Sequence, residues 1–351
     1  MSSWTEFLVA RGAKTEADTV LSFGDLTAEL EAARDSAVVC DLGPLSTLSV
    51  NGPDAAQFLQ GQLTNDVLAL APGAWQFGAW CSPKGRMLVN FVLRRTGPEH
   101  FELLLPATML ETIRKRLGLF MLRSRVVIED TSARTVRLGI GGPASSSAVR
   151  DAFGDIPTTH QVAETKGAAT VALPGARFVA WVDPQRAAKM WERFSVAARP
   201  AGFPVWEWLT IRAGVPRITP PTADQYVPQT ANWDALEGLS FNKGCYSGQE
   251  IVARMQYLGR LKERLVLAHV EASPPQAGAR LFSAAFGDQP CGSVVNAATS
   301  PAGGADLLAV LQIAARESAD VRVGSPDGPV LALLPLPYPV PEAAPPRGRI
   351  A

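Results

Sequence analysis

Ten consecutive positions, Phe241-Asn242-Lys243-Gly244-Cys245-Tyr246-Ser247-Gly248-Gln249-Glu250, carry a cation, a thiol, a phenol, an amide, a carboxylate and two glycines. Core segments do not concentrate polar and flexible residues in this way. Just beyond, Ile251, Met255 and Leu258 fall at i, i+4 and i+7, which predicts a short helix closed by Gly259. Ser247 and Glu250 have capping-box spacing at its start. Cys245 then lies two residues before a helix N-terminus, with Lys243 beside it. The free amides, the positive helix end and the ammonium all favour a thiolate. Cys245 is therefore the candidate reactive group and Lys243 its electrostatic partner. A lone cysteine is more often buried and inert; the polar neighbours weigh against that reading here.

The elements that position this stretch follow from periodicity. A helical run at 26–34 leads to strands at 38–42 and 45–50. A helix opens near Pro53 with Ala55, Phe58 and Leu59 facing inward. It runs into Gln60-Gly61-Gln62-Leu63-Thr64-Asn65-Asp66-Val67, which reads equally as a site loop or as a helix end with an Asx turn. Period-two segments at 75–81 and 86–93 flank Ser82-Pro83-Lys84-Gly85 and predict a hairpin, with Cys81 in the core. A strand at 101–105, a helix at 110–119 and a strand at 120–128 follow. In an extended chain Arg123 and Arg125 share a face, either to bind an anion or to meet solvent. The strand 136–142 ends in glycines without a phosphate-loop pattern. A hairpin at 168–182, a helix from Pro184 capped by Asp183, and a helix at 206–212 complete a second unit. The stretch 219–239 is a long loop whose aromatics argue against disorder. Short strands after 260 suggest a small barrel, and the tail from Pro337 an extended strap. The expected units are 1–130, 131–258 and 259–351, giving two small α+β subdomains and a C-terminal β-barrel.

Composition narrows the function class. Lys+Arg and Asp+Glu both number 33, so no bulk charge draws the chain to nucleic acid or anionic membrane. The cysteines at 40, 81, 245 and 291 are scattered and only three histidines exist, so no metal-ligand set is visible. No charged start followed by an apolar run opens the sequence, and no apolar run reaches about 18 residues. A cytoplasmic, monomeric protein with reduced thiols is expected, without direct nucleic-acid or membrane contact.

The octapeptide Lys243-Gly244-Cys245-Tyr246-Ser247-Gly248-Gln249-Glu250 resembles the signature of the YgfZ family, folate-binding proteins related to the glycine-cleavage T-protein. The segment 60–67 and the Pro83-Lys84-Gly85-Arg86 turn also resemble that family. The resemblance covers nearly the whole chain and implies a GcvT/YgfZ-like α+β fold around a central channel lined by Cys245. It implies tetrahydrofolate as ligand, and a role as accessory factor with iron–sulfur proteins or their assembly machinery as partners, which also affects tRNA modification. Bound folate needs flat apolar walls, an amide or carboxylate for the pterin edge, and cations for the glutamyl tail. Gln60, Asn65, Arg86, Trp206, Arg212, Tyr246, Gln249, Glu250 and Arg254 are the candidate ligand-binding residues, beside Cys245 and Lys243. T-proteins have an acid where this chain has Asn90, and a pterin-holding Glu where it has Arg212. Aminomethyl transfer of the T-protein kind is the alternative that these two changes disfavour.

Overall fold

The computed structural model describes residues 2–257, 261–318 and 320–341. Three sheets carry the chain. The first is antiparallel, with strands in the order Ala74–Cys81, Met87–Gly97, His100–Pro106, Leu45–Asn51 and Val127–Asp130. The helix Ala107–Gly118 covers it through Met109, Leu110, Ile113 and Leu117, all buried and spaced along one helical face. The predicted hairpin at 75–93 is present.

The second sheet runs Val162–Thr165, Ala168–Leu173, Arg177–Val182, Val136–Gly141, Val38–Asp41, Arg199–Ala201. Its fifth strand comes from the start of the chain, so residues 38–41 pair with Val136–Gly141 and, in parallel, with Arg199–Ala201. The helices Ser145–Phe153 and Pro184–Ser195 pack on one face through Ala148, Val149, Ala152, Trp191 and Phe194. Asp183 caps the latter, accepting from the Gln185 amide.

The third sheet orders Arg322–Val323, Arg280–Phe282, Gly292–Thr299, Ala305–Gln312, Glu263–Val270, Leu331–Leu334. It curls until its edges meet: the Leu331 amide donates to Val321 O at 2.7 Å, and Val323 to Pro329 O at 3.1 Å. The expected C-terminal barrel is this curled sheet.

One helix joins the sheets. Phe203–Arg212 buries Phe203, Val205, Trp206, Trp208, Leu209 and Ile211, an all-round apolar pattern that only an interior helix tolerates. It lies hard against the second sheet because Gly139 and Gly141 occupy one face of the strand beneath it. A Cβ there would stand 2.6 Å from Trp206 and 2.5 Å from Leu209. The glycines that ended the predicted strand therefore serve close packing. The loop 219–239 is ordered over the same core, with Tyr226 and Trp233 buried.

Several local expectations change. Residues 121–126 turn, and only Val127–Asp130 is extended. Arg125 leaves the shared face assigned to it and binds the Asp54 carboxylate with its amide and guanidinium. That carboxylate accepts the Arg125 amide, which an edge strand would have left unpaired or given to a neighbour. The helix after Pro53 starts at Ala55, so Pro53 precedes it. The predicted stop at Gly259 lies outside the described residues. The tail is a strap as far as 341: Tyr338 Oη donates to Gly214 O at 2.6 Å. Among the described residues no helix is long and apolar enough to cross a membrane.

Trp233 is fully buried where the sheets meet. Trp233→Ala should lower stability by about 3–5 kcal/mol, read as an earlier midpoint in urea unfolding. A loss under about 1 kcal/mol would show that the core does not close around this ring.

Candidate functional site

Lys243 organises the motif. Its side chain turns inward, 9 % exposed, and its ammonium donates to Gln60 O at 2.7 Å, Leu63 O at 2.5 Å and Asn65 O at 2.9 Å. An ammonium has three hydrogens, so none remains for Cys245. Burial pulls its pKa down to about 8, opposed by the nearby Asp66 carboxylate. It remains mostly protonated at pH 7 and satisfies carbonyls at and beyond the end of helix Ala55–Gln60, where a cation is favoured. The ammonium also lies 5.0 Å from the Tyr246 ring centre. The expected Lys243–Cys245 pair is replaced by an anchor.

Cys245 itself is exposed, whereas Cys40, Cys81 and Cys291 are buried. Burial pushes the Cys40 and Cys81 thiols well up, away from reactivity. Cys245 is therefore the exposed thiol of the four. It belongs to none of the cavities described below, so it sits on an outer face and does not line the passage. On its far side the loop is pinned by Gly248, which has φ +82°. A Cβ there would stand 2.4 Å from Ser82 O at the hairpin tip.

The helix begins at Gln249, one residue later than the capping box requires. Gln249 Oε1 accepts from the Tyr246 amide at 3.3 Å. Among the described residues neither the Ser247 hydroxyl nor the Glu250 carboxylate is hydrogen-bonded, because Gly248 holds the capping position. Glu250 and Arg254 face solvent, and Tyr246 is buried with its phenol pushed up by desolvation.

The other candidates divide between scaffold and cavity. Gln60 accepts from Val67 N and donates to Asp66; Asn65 donates to Phe77 O and Glu237 O. Both amides are consumed in holding the 60–67 turn against the loop before the motif. Arg86 is exposed and reaches Asp224 O at 3.4 Å. Arg212 points to an outer groove, 3.6 Å from Asp306. Asp306 also binds the Trp208 indole and His269. Trp206 alone of the candidate ligand residues walls the central passage.

Three cavities that share lining residues make up this passage. A mouth of about 340 Å³ is walled by Trp75, Phe77, Leu173 and Tyr338, with His160 and Glu237 at its rim. His160 Nε2 and Glu237 Oε2 are 3.0 Å apart, and both residues hold a left-handed backbone. Phe77 and Leu173 are shared with a waist of about 70 Å³, walled also by Asn90, Arg177, Trp206 and Trp233. Thr210 and Arg217 are shared with a second mouth of about 310 Å³ beside Glu207 and Asn296. The mouths reach the lower range of ligand pockets, about 300 Å³; the waist does not. Asn90 donates to Pro216 O and accepts from Ile218 N. This amide pins backbone and brings no carboxylate to the passage. Sequence reasoning did not single out Arg177 or His160; an arginine opening the apolar strand 177–182 was the available signal.

If Lys243 is an anchor, Lys243→Met should speed amide exchange across 60–66 and 241–248 by about tenfold or more, since three buried carbonyls lose their donor. Alkylation of Cys245 by iodoacetamide should not slow. A marked slowing with unchanged exchange would restore the electrostatic role.

Comparison with known proteins agrees with this geometry. The profile of the GCVT N-terminal domain matches residues 15–202. The tRNA-modifying protein YgfZ of Yersinia pseudotuberculosis is 31% identical over 296 residues, 83% of this chain and 89% of that one. That of Cronobacter sakazakii is 33% identical over 234 residues, 66% of this chain and 70% of the other. The aminomethyltransferase T of the glycine cleavage system from Bartonella henselae superposes with TM-score 0.76 over 96% of this chain and 97% of its own, at 17% identity, a likeness of fold. Domain profile, relatives and GcvT-like architecture agree, and the chain belongs to the YgfZ family.

Proposed function

We propose that the chain is a tetrahydrofolate-binding accessory factor for assembly or repair of iron–sulfur proteins, acting on tRNA modification through such enzymes. The observation that carries this reading is the exposed Cys245 thiol on a loop held rigid by Lys243 on one side and Gly248 on the other. Rigid presentation of one reachable sulfur suits a soft metal or an electrophile. The name borne by the relatives supports the link to tRNA.

For folate, the support is the GcvT-like fold and the first mouth. Trp75, Phe77 and Tyr338 provide ring faces there, and Glu237 with His160 provides polar partners for an amide-like edge. A reduced folate, when bound, supplies a one-carbon carrier. The waist is too small for a ring and fits only a small terminal group. Asn90 and Arg212 stand where a T-protein has acids, so aminomethyl transfer lacks its carboxylates. The protein is taken to work as a monomer in the cytoplasm, with iron–sulfur proteins or their assembly machinery as partners and no direct contact with nucleic acid.

In cells lacking the native gene, Cys245→Ala should fail to restore iron–sulfur enzyme activity, although the protein accumulates normally. Full rescue rejects the thiol's role. Titration with tetrahydrofolate should quench tryptophan fluorescence, and Trp75→Phe should reduce the signal. A flat response to high micromolar ligand removes the folate part.

A further inference from the structure

We infer that the waist of the passage binds a small oxyanion group, a carboxylate above all, between the guanidinium groups of Arg177 and Arg217. Arg177 is 1 % exposed. Its Nε donates to Pro174 O at 2.9 Å and its Nη1 to Thr210 Oγ1 at 2.8 Å. Its Nη2 has no acceptor, and no carboxylate pairs with it among the described residues. The charge that acts on it is a second cation, Arg217. Arg217 is paired with Glu207, so that pair is neutral and the charge of Arg177 is surplus. Both arginines wall the same cavity.

The surrounding polar groups are already occupied. Thr210 donates to Trp206 O while accepting from Arg177. Asn90 uses both ends of its amide on backbone. The Trp206 ring, 5.3 Å from the Arg177 guanidinium carbon, offers a π face that softens the charge without cancelling it. Burial and mutual repulsion pull Arg177 down to about 9, and burial pulls Arg217 down to about 10. A buried charge without a partner is strongly unfavourable, and two guanidinium forks are suited to the two oxygens of a carboxylate. About 70 Å³ holds a few waters or one such group. The anion is therefore either a free small oxyanion or the end of a ligand whose body lies in a flanking mouth. In the second case the inference rests on the folate reading; as an anion site it does not.

Formate titrated against chloride at constant ionic strength should raise the unfolding midpoint of the full chain saturably, and Arg177→Met should abolish the rise. Arg217→Met should do the same, because it removes the second of the two forks that would hold the anion; it serves if the first variant does not fold. Tetrahydrofolate and 6-methyltetrahydropterin, which lacks every carboxylate, separate the sources. Arg177→Met should weaken the former by about tenfold or more and leave the latter unchanged. A native chain that shows no saturable formate effect overturns the site, as do variants that keep it. Formate binding through Arg177 without pteridine binding retires folate and keeps the site. Tetrahydrofolate bound equally with and without Arg177, and no formate effect, does the reverse.

Discussion

Burial of the helix Phe203–Arg212 is the constraint on which the structure depends. Its own Trp206 and Trp208 share one core with Trp233 of the following loop and Trp181 of the second sheet. A helix apolar on all sides cannot rest on one sheet with its back to water. It draws the second and third sheets around itself, with the first closing over Phe77 and Val92. Every polar group carried inside must then find a partner. Thr210 bonds within the helix and to Arg177, Trp208 reaches Asp306, and Asn90 stitches the 216–218 backbone. What these groups leave unsatisfied marks the passage.

The motif loop follows a second logic. Lys243 is expensive to bury and is placed where three carbonyls of the 60–65 turn need donors. The reward is a loop that stays put while Cys245 remains outside. A lysine left free beside the thiol would have tuned its charge and lost control of its position. Anchoring and exposure are thus divided between residues two positions apart.

The T-protein comparison gains meaning at this level. The two share an architecture, and here Asn90 holds backbone while Arg212 turns to the outer groove and Asp306. Two buried guanidinium groups wall the middle cavity, and Arg217 alone of the two pairs with an acid, Glu207. The fold is shared, but a fold does not carry a function with it, so function must be argued from the residues that line the passage.

Much of the architecture was legible in the chain. The hairpin at 75–93, the hairpin at 168–182 and the Asp183 cap rest on contacts between residues close in sequence. Periodicity and turn chemistry report such contacts directly. The octapeptide likewise identified the family and the one exposed thiol. Tertiary structure decided the rest. Val38–Asp41 joins one strand about 100 residues away and another about 160 away, and Arg125 finds Asp54 across 71 positions. Lys243 spends its hydrogens on carbonyls some 180 residues earlier, and Gly248 displaces Ser247 as cap because a hairpin tip presses on it. Arg177 is left with an unpartnered guanidinium nitrogen only once the core has closed around it. Local pattern fixes which elements form; the partners of a buried charge are set by which distant segments the core brings together.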